Sequence, residues 1–337
     1  MTVEVAVLGV AAILLSALLT GVVRRLALSR GVLDVPNARS SHNKATPRGG
    51  GLAVVAGFSG LIVFLDYTRI VDVRLAAALL GGGLPVALVG LVDDYKSVPV
   101  GWRLAVHFAV AAWAVVSLGA PSTLGWGGSA FAVLAIVWAI NLFNFMDGID
   151  GIAGGEAVFV AAAGGGLCAA VGGAAAVSAA AFMLAGSCLG FLVWNWPPAK
   201  IFLGDVGSGF LGYCLAVLTL AAMRGSPTAG WTWSILMGVF LVDATVTLAR
   251  RALQGARVHE AHRSHAYQFL ARRWGSHLKV TLAVGALNIC WLLPLALLAS
   301  VRPGWAIAST VVALSPLVVV ALRVGAGLEE ARCVRTE

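Results

Sequence analysis

The 337-residue sequence predicts an all-α fold, a polytopic integral membrane bundle of about eleven transmembrane helices, from three observations. Its residues are 60% hydrophobic and only 11% charged, whereas about a quarter would be charged in a soluble domain. Apolar runs long enough to cross a hydrocarbon core of roughly 30 Å recur along the whole chain. Lys and Arg cluster in alternate connections, as expected of a chain threaded through a bilayer under the positive-inside rule.

The spans fall near residues 3–23, 49–66, 76–92, 104–118, 129–145, 156–174, 175–194, 206–223, 231–249, 279–299 and 303–323. Dividing the Ala/Gly-rich stretch 156–194 at Gly172-Gly173 sets the direction of everything downstream. With the N-terminus periplasmic and the C-terminus cytoplasmic, 19 of the 23 basic residues lie inside, and only Arg69, Arg74, Arg224 and Arg302 lie outside. This asymmetry supports both the count and the direction, and it accounts for most of the +8 net charge. The first span lacks a positive n-region and is followed by Arg24-Arg25, so it reads as a retained helix and not a signal peptide. Cys168, Cys188, Cys214 and Cys290 fall inside predicted helices and Cys333 in the inner tail, without CxxC spacing, which favours small buried residues over disulfides or metal ligands. The chain reads as a single membrane-embedded domain whose inner connections, near 24–48, 93–103, 144–155, 195–205 and 250–278, form one face.

Five aspartates collect on that face: Asp93, Asp94, Asp147, Asp150 and Asp205. Carboxylates at membrane depth are costly and usually serve a site. Asp93-Asp94 ends the third span, where carboxylates oppose the helix dipole unless a cation intervenes. Lys96 is one candidate cation and Mg²⁺ a better one. In Asn141 to Gly155 the polar residues Asn141, Asn144, Asp147 and Asp150 step by three, so the two asparagines share a helical face, and Gly148 and Gly151 permit turns after the acids. Asp205, between Gly204 and Gly207, sits where a helix N-terminus favours anions, as a metal ligand or as that helix's cap. Asp243, inside the ninth span, should face the bundle interior, paired with Arg250 or Arg251. Mg²⁺ takes one or two carboxylates plus waters and substrate phosphates, so five acids exceed what one ion needs.

Three of the six histidines, His259, His262 and His265, fall within seven residues of the last long inner loop, among Arg257, Arg263, Arg272 and Arg273. The pattern lacks the HExxH of a zinc protease and any accompanying Cys. Hydrogen bonding to phosphates suits it better, with arginine acting bidentately. A cation-coupled transporter is the competing class, but transporter acids lie near the midplane and repeats are common, whereas these acids gather at one face and no repeat is evident.

Six segments in order carry a resemblance: Asp34 to Asn37 with Arg39 to His42 and Thr46 to Gly51; Asp93-Asp94; Asn141 to Gly151; Phe202 to Gly209; Asp243 to Arg251; and His262 to Gln268. Together they resemble the polyprenyl-phosphate N-acetylhexosamine-1-phosphate transferases of glycosyltransferase family 4, which include phospho-N-acetylmuramoyl-pentapeptide transferase. The resemblance implies an eleven-helix enzyme of the bacterial inner membrane with its active site on the cytoplasmic side. Its reaction would join a sugar-1-phosphate from a UDP-N-acetylhexosamine to undecaprenyl phosphate and release UMP, with Mg²⁺ or Mn²⁺. It implies Asp93 as the base, supported by Asp94, with Asp205 and Asp147 as metal ligands. Asn141, Asn144, Asp147, Asp150, Lys96 and Arg48 would shape the substrate site, and His262, Arg263 and His265 would hold the donor diphosphate. The form His262-Arg263-Ser264-His265, in place of consecutive histidines, resembles the branch that starts O-antigen and other surface polysaccharides, with UDP-N-acetylglucosamine or a 6-deoxy N-acetylhexosamine such as N-acetylfucosamine or N-acetylquinovosamine as donor. Membrane lipid is the expected surrounding, nucleic acid is not an expected partner, and a homodimer is left open.

Overall fold

The computed structural model describes residues 3–36, 44–256 and 262–328. Asn37, the segment Arg39 to His42, Arg257, His259, Glu260, Arg332, Cys333 and Arg335 lie outside the described residues. The helices in chain order are α1 Val3–Ser29, α2 Gly51–Tyr67, α3 Val73–Tyr95, α4 Val100–Ser117, α5 Ala120–Met146, α6 Ile152–Ala170 and α7 Ala175–Asn195. They continue with α8 Asp205–Met223, α9 Ala229–Leu236, α10 Gly238–Leu253, α11 Ala266–Trp274, α12 His277–Leu287, α13 Leu293–Val301 and α14 Ala306–Val324.

The fold is the expected all-helical membrane bundle, with a different count of spans. Among the described residues nine helices are long and apolar enough to cross a membrane, and the pair α9 and α10 makes a tenth if taken as one. That pair is bent by 76°. The break comes at Met237, and a Cβ on the next residue, Gly238, would lie 2.9 Å from Leu314, so α14 packs tightly against the elbow. The second expected span is α2, whose 17 residues reach only about 26 Å at 1.5 Å per residue. The tenth expected span contains a π-turn, Asn288–Leu292, between α12 and α13. α1 runs to Ser29, six residues beyond its expected end.

Helix α8 is the central post, with almost every residue buried, while α1 lies outermost and leaves most of its length exposed. Burial is achieved with small residues, as in membrane bundles where close backbone approach replaces the hydrophobic drive of water. A Cβ on Gly212 would sit 2.2 Å from the Ala139 carbonyl of α5, one on Gly90 of α3 would sit 2.3 Å from the Asp205 carbonyl, and one on Gly51 would sit 2.4 Å from the Gly207 Cα. The last two contacts bring the ends of α2, α3 and α8 together at one face. Cys168, Cys188 and Cys214 are buried as expected, whereas Cys290 is exposed on the apolar outer surface of its span.

A short antiparallel ribbon pairs Leu33–Asp34 (β1) with Thr46–Pro47 (β2), an addition to the all-α expectation. The chain after β2 then runs beside residues 202 and 203: Phe202 donates its N–H to the Pro47 carbonyl at 2.8 Å, and Gly50 and Gly51 donate to the Phe202 and Leu203 carbonyls, each at 2.8 Å. This ladder fixes Arg48 next to the start of α8.

Gly51→Ala places a methyl against backbone that cannot swing aside, and overpacking of this kind costs about 1–3 kcal/mol. Thermal unfolding in detergent is expected to show a lower midpoint for Gly51→Ala and none of that loss for Gly60→Ala, whose Cβ meets nothing within 4 Å.

Candidate active site

The acidic face is organised around a contact between two helices. Asp94, in the last turn of α3, accepts the backbone N–H groups of Asp205 (3.0 Å) and Val206 (3.2 Å) at the start of α8. Its own helix dipole opposes a carboxylate there, but the N-terminus of α8 favours one, and this second helix resolves the electrostatic problem. Asp94 therefore caps α8 from outside. Asp205 is the first residue of that helix, and its side chain makes no cap. The approach requires Gly204, which has φ +77° and whose added Cβ would lie 2.7 Å from Asp94 Oδ2.

Two arginines answer the charge, and neither is Lys96. Arg48 Nε lies 2.9 Å from Asp94 Oδ1 and its Nη2 lies 3.5 Å from Asp205 Oδ1. Arg103, near the start of α4, pairs with Asp93 and reaches Asp205 Oδ2 at 3.9 Å. The other Asp93 oxygen accepts the Val98 N–H at 2.6 Å. Asp205 thus stands between two guanidiniums, one on each side. Asp147, just past the end of α5, is near enough to the cluster to be affected by it: its depth in the protein and then the nearby Asp205 carboxylate push its pKa well above the usual carboxylate range.

The three-residue step in the asparagine segment does place its amides on one face. Asn144 donates to Ser208 Oγ at 3.2 Å, and Asn141 donates to the Val137 carbonyl while lying 3.5 Å from His107 Nδ1. Asp150 points elsewhere. Its Oδ2 accepts the Ala199 N–H at 3.0 Å, its Oδ1 lies 3.3 Å from His277 Nδ1, and its carbonyl accepts the Thr281 hydroxyl. It staples α12 and the 197–200 segment to the start of α6.

The segment 262–268 is built on Asp243. Its carboxylate accepts the N–H groups of Ala266 and Tyr267, each at 2.9 Å, and the Thr247 hydroxyl, and it lies 3.3 Å from His265 Nδ1. The interior acid therefore binds the start of α11 and not Arg250, which donates to the Ala326 carbonyl. His265 is 2% exposed and occupied by this contact. His262 stacks on it with ring centroids 5.0 Å apart, and Ser264 Oγ lies 3.0 Å from His262 Nδ1. Burial, followed by the neighbouring His265, lowers the His262 pKa to about 4. The Tyr267 hydroxyl donates to the Phe145 carbonyl at 3.0 Å, and a Cβ on Gly148 would lie 2.1 Å from it. Only glycine fits there, so α11 is locked to the turn that carries Asp147.

Two cavities of opposite character take in the candidate residues, and the first of them reaches the cluster. One, of about 650 Å³, is walled by apolar side chains of α3, α4 and α5 and ends at Asp93, Arg103 and Asp205, with His107, Asn141 and Asn144 along its side. The other, of about 910 Å³, is lined by Arg24, Lys44, Asp150, Lys200, Arg263 and His277, among other residues, with Phe202 in its wall.

Arg103, His107, Tyr267 and His277 escape the sequence reading as site residues. Arg103 is legible as a cation near the start of a helix that follows Asp93 by a short turn; the others carry no local signal. Glu156 is also missed, although a lone acid in an apolar Ala/Gly run is itself a signal: its Oε2 accepts Asn288 Nδ2 of the π-turn at 2.6 Å in the buried core.

Because the folded His262 pKa lies below the free value, the unfolded chain binds more protons between pH 6.5 and about 4. The corresponding stability is complete above pH 6.5 and is lost as pH falls toward 4. Thermal melts across that window are expected to fall less steeply for His262→Asn than for the wild type.

The profile of glycosyl transferase family 4 matches residues 76–223, from α3 to the end of α8, and so takes in Asp93, Asp94, the 141–151 segment and Asp205. A protein of Bacillus subtilis (strain 168), described as a probable undecaprenyl-phosphate N-acetylglucosaminyl 1-phosphate transferase, is 29% identical over 300 residues, spanning 84% of this chain and 81% of the relative. The decaprenyl-phosphate N-acetylglucosaminephosphotransferase of Mycolicibacterium smegmatis is 30% identical over 320 residues, spanning 83% and 79%. The undecaprenyl-phosphate alpha-N-acetylglucosaminyl 1-phosphate transferase of Escherichia coli (strain K12) is 27% identical over 267 residues, spanning 74% and 71%. With identity sustained over most of both chains and the profile centred on the acidic face, the chain belongs to glycosyl transferase family 4 as a multi-pass membrane enzyme.

Proposed function

We propose that the chain transfers N-acetylglucosamine-1-phosphate from UDP-N-acetylglucosamine to a polyprenyl phosphate, giving polyprenyl-diphospho-N-acetylglucosamine and UMP, the first lipid-linked step of an envelope glycan. The observation that carries this reading is an apolar cavity that ends at Asp93, Arg103 and Asp205, with a second, basic cavity that takes in Asp150, Lys200 and Arg263. A lipid chain suits the first, a nucleotide diphosphate suits the second, and the reacting phosphates meet at the carboxylates. The relatives' names favour N-acetylglucosamine among the N-acetylhexosamines and undecaprenyl or decaprenyl among the lipids. In this reading the whole chain is one domain in a bacterial inner membrane, its acidic face is cytoplasmic, and the product feeds an O-antigen or another surface polysaccharide.

Asp93 takes the proton of the acceptor phosphate, whose oxygen then attacks the sugar-bearing phosphorus of the donor. One P–O bond forms, the pyrophosphate P–O bond breaks, and the bridging oxygen leaves with its electron pair on UMP. Asp94 holds the start of α8 and so places Asp205. His262 and Arg263 hold the donor diphosphate, and His265, tied to Asp243, orients His262 by stacking. Asn141 and Asn144 line the acceptor side, and Asp150 positions the donor side through His277 and Ala199. Lys96 is left as a surface charge.

Asp147 and Asp205 would hold Mg²⁺, or Mn²⁺ in its place. The fit rests on charge: the cluster gathers four carboxylates and two arginines, and burial, followed by the neighbouring Asp205 carboxylate, raises the Asp147 pKa. Two carboxylates are what Mg²⁺ takes when substrate phosphates and water complete its shell. When bound, the ion supplies charge neutralisation and polarisation of the phosphoryl group.

Detergent-purified protein with undecaprenyl phosphate, Mg²⁺ and UDP-N-acetylglucosamine is expected to release UMP and form a lipid product of the corresponding mass. The same assay with UDP-N-acetylfucosamine and UDP-N-acetylquinovosamine tests the sugar assignment. UMP release that ignores the lipid, or none with any donor, would overturn the transferase reading. Asp93→Asn, which removes the general base, and Asp205→Asn, which removes a metal ligand, are each expected to lower turnover by at least about 100-fold with folding retained. His262→Ala is expected to raise the donor KM, and an unchanged value would remove it from the diphosphate site.

A further inference from the structure

Both oxygens of Asp93 are engaged: Oδ1 by the Val98 N–H at 2.6 Å, and Oδ2 by the Arg103 guanidinium. A carboxylate so held cannot take a proton from an incoming phosphate until one partner yields. Val98 is fixed by the backbone of the turn between α3 and α4. Arg103 is a long side chain, 31% exposed, and only loosely shared with Asp205 at 3.9 Å. The partner able to move is therefore Arg103.

The cavity supplies the reason to move. Among the described residues that line the apolar cavity, Arg103 is the one Lys or Arg, and the acids there are Asp93 and Asp205. A phosphate carried in on an apolar chain meets two negative groups and a single guanidinium. A guanidinium binds phosphate bidentately in a strong charge-assisted geometry.

We propose that Arg103 is a two-position latch, paired with Asp93 while the apolar cavity is empty and turned onto the acceptor phosphate when the cavity is filled, so that arrival of the acceptor is what frees Asp93. This rests on the acceptor reading above. It makes Arg103 a substrate-binding residue that also governs when the base is available. Donor alone then finds the base still covered.

The test is binding to the full-length, detergent-purified protein, with undecaprenyl phosphate and undecaprenol as probes of equal chain and different head. Wild type is expected to prefer the phosphate by at least tenfold, about 1.4 kcal/mol. Arg103→Ala is expected to lose most of that preference with undecaprenol affinity unchanged, and Arg103→Lys to retain part of it. Asp93→Asn releases the latch in advance, so it is expected to tighten phosphate binding several-fold when Arg103 is present, and by clearly less in an Arg103→Ala background. Arg103→Gln replaces Arg103→Ala throughout if the latter also loses undecaprenol. Equal tightening by Asp93→Asn in both backgrounds would show simple charge repulsion and overturn the latch, as would a phosphate preference that survives loss of Arg103. A wild type that does not distinguish phosphate from alcohol would instead overturn the acceptor reading.

Discussion

The arrangement depends on one carboxylate being delivered across a helix crossing. Asp94 belongs to α3, yet its hydrogen bonds are to the first two N–H groups of α8. Hydrogen bonds to a charged group contribute roughly 1.5–3 kcal/mol each, and they offset much of the cost of burying the Asp94 carboxylate, whose side chain is 4% exposed. The bonds form only because nothing intervenes: Gly204 leaves room for the Asp94 side chain, Gly90 for the Asp205 carbonyl, and Gly51 and Gly207 for each other. A methyl at any of these positions would meet a neighbouring atom at under 3 Å. Arg48 then completes the cluster, brought there by a ladder to residues 202 and 203 that needs the same close approach.

Around that crossing the molecule keeps two solvents apart. The apolar cavity between α3, α4 and α5 reaches Asp93 and Asp205, and the basic cavity beside α11 and α12 takes in Asp150. Their relative position is held by polar anchors: Asp243 at the start of α11, Tyr267 on the 145–148 turn, and Asp150 on His277 and Ala199. Glu156 with Asn288 performs a similar task deeper in the bundle, joining α6 to the π-turn. The anchoring acids Asp243 and Asp150 are at least as buried as Asp205.

Much of this is legible in the sequence because bilayers demand long apolar runs and charge asymmetry, both of which are linear signals. The grouping of Asp93, Asp94, Asp147 and Asp205 follows from their places at span ends. What escapes is partnership. The Asp94 carboxylate looks unfavourable beside its own dipole, and only the α3–α8 crossing shows why it is not. Lys96 is near in sequence, whereas Arg48 and Arg103 are near in space. Asp243 has two arginines within eight residues but binds backbone N–H groups more than twenty residues away. The bend at Met237 and the π-turn that begins at Asn288 answer tertiary packing, which no window of hydropathy records.

The Asp94 cap also bears on how the chain is made. Its partner N–H lies 111 residues downstream, and at about 5–20 residues per second a ribosome takes roughly 5–20 seconds to cover that distance. Through that interval Asp94 has reached the membrane surface without the helix end that will hold it, and four further helices, α4 to α7, must insert first. Water at the bilayer face is the only solvent that can keep the carboxylate charged meanwhile. The span that carries it is thus obliged to stop where it does, with its acids at the surface, before any of the architecture that later shelters them exists.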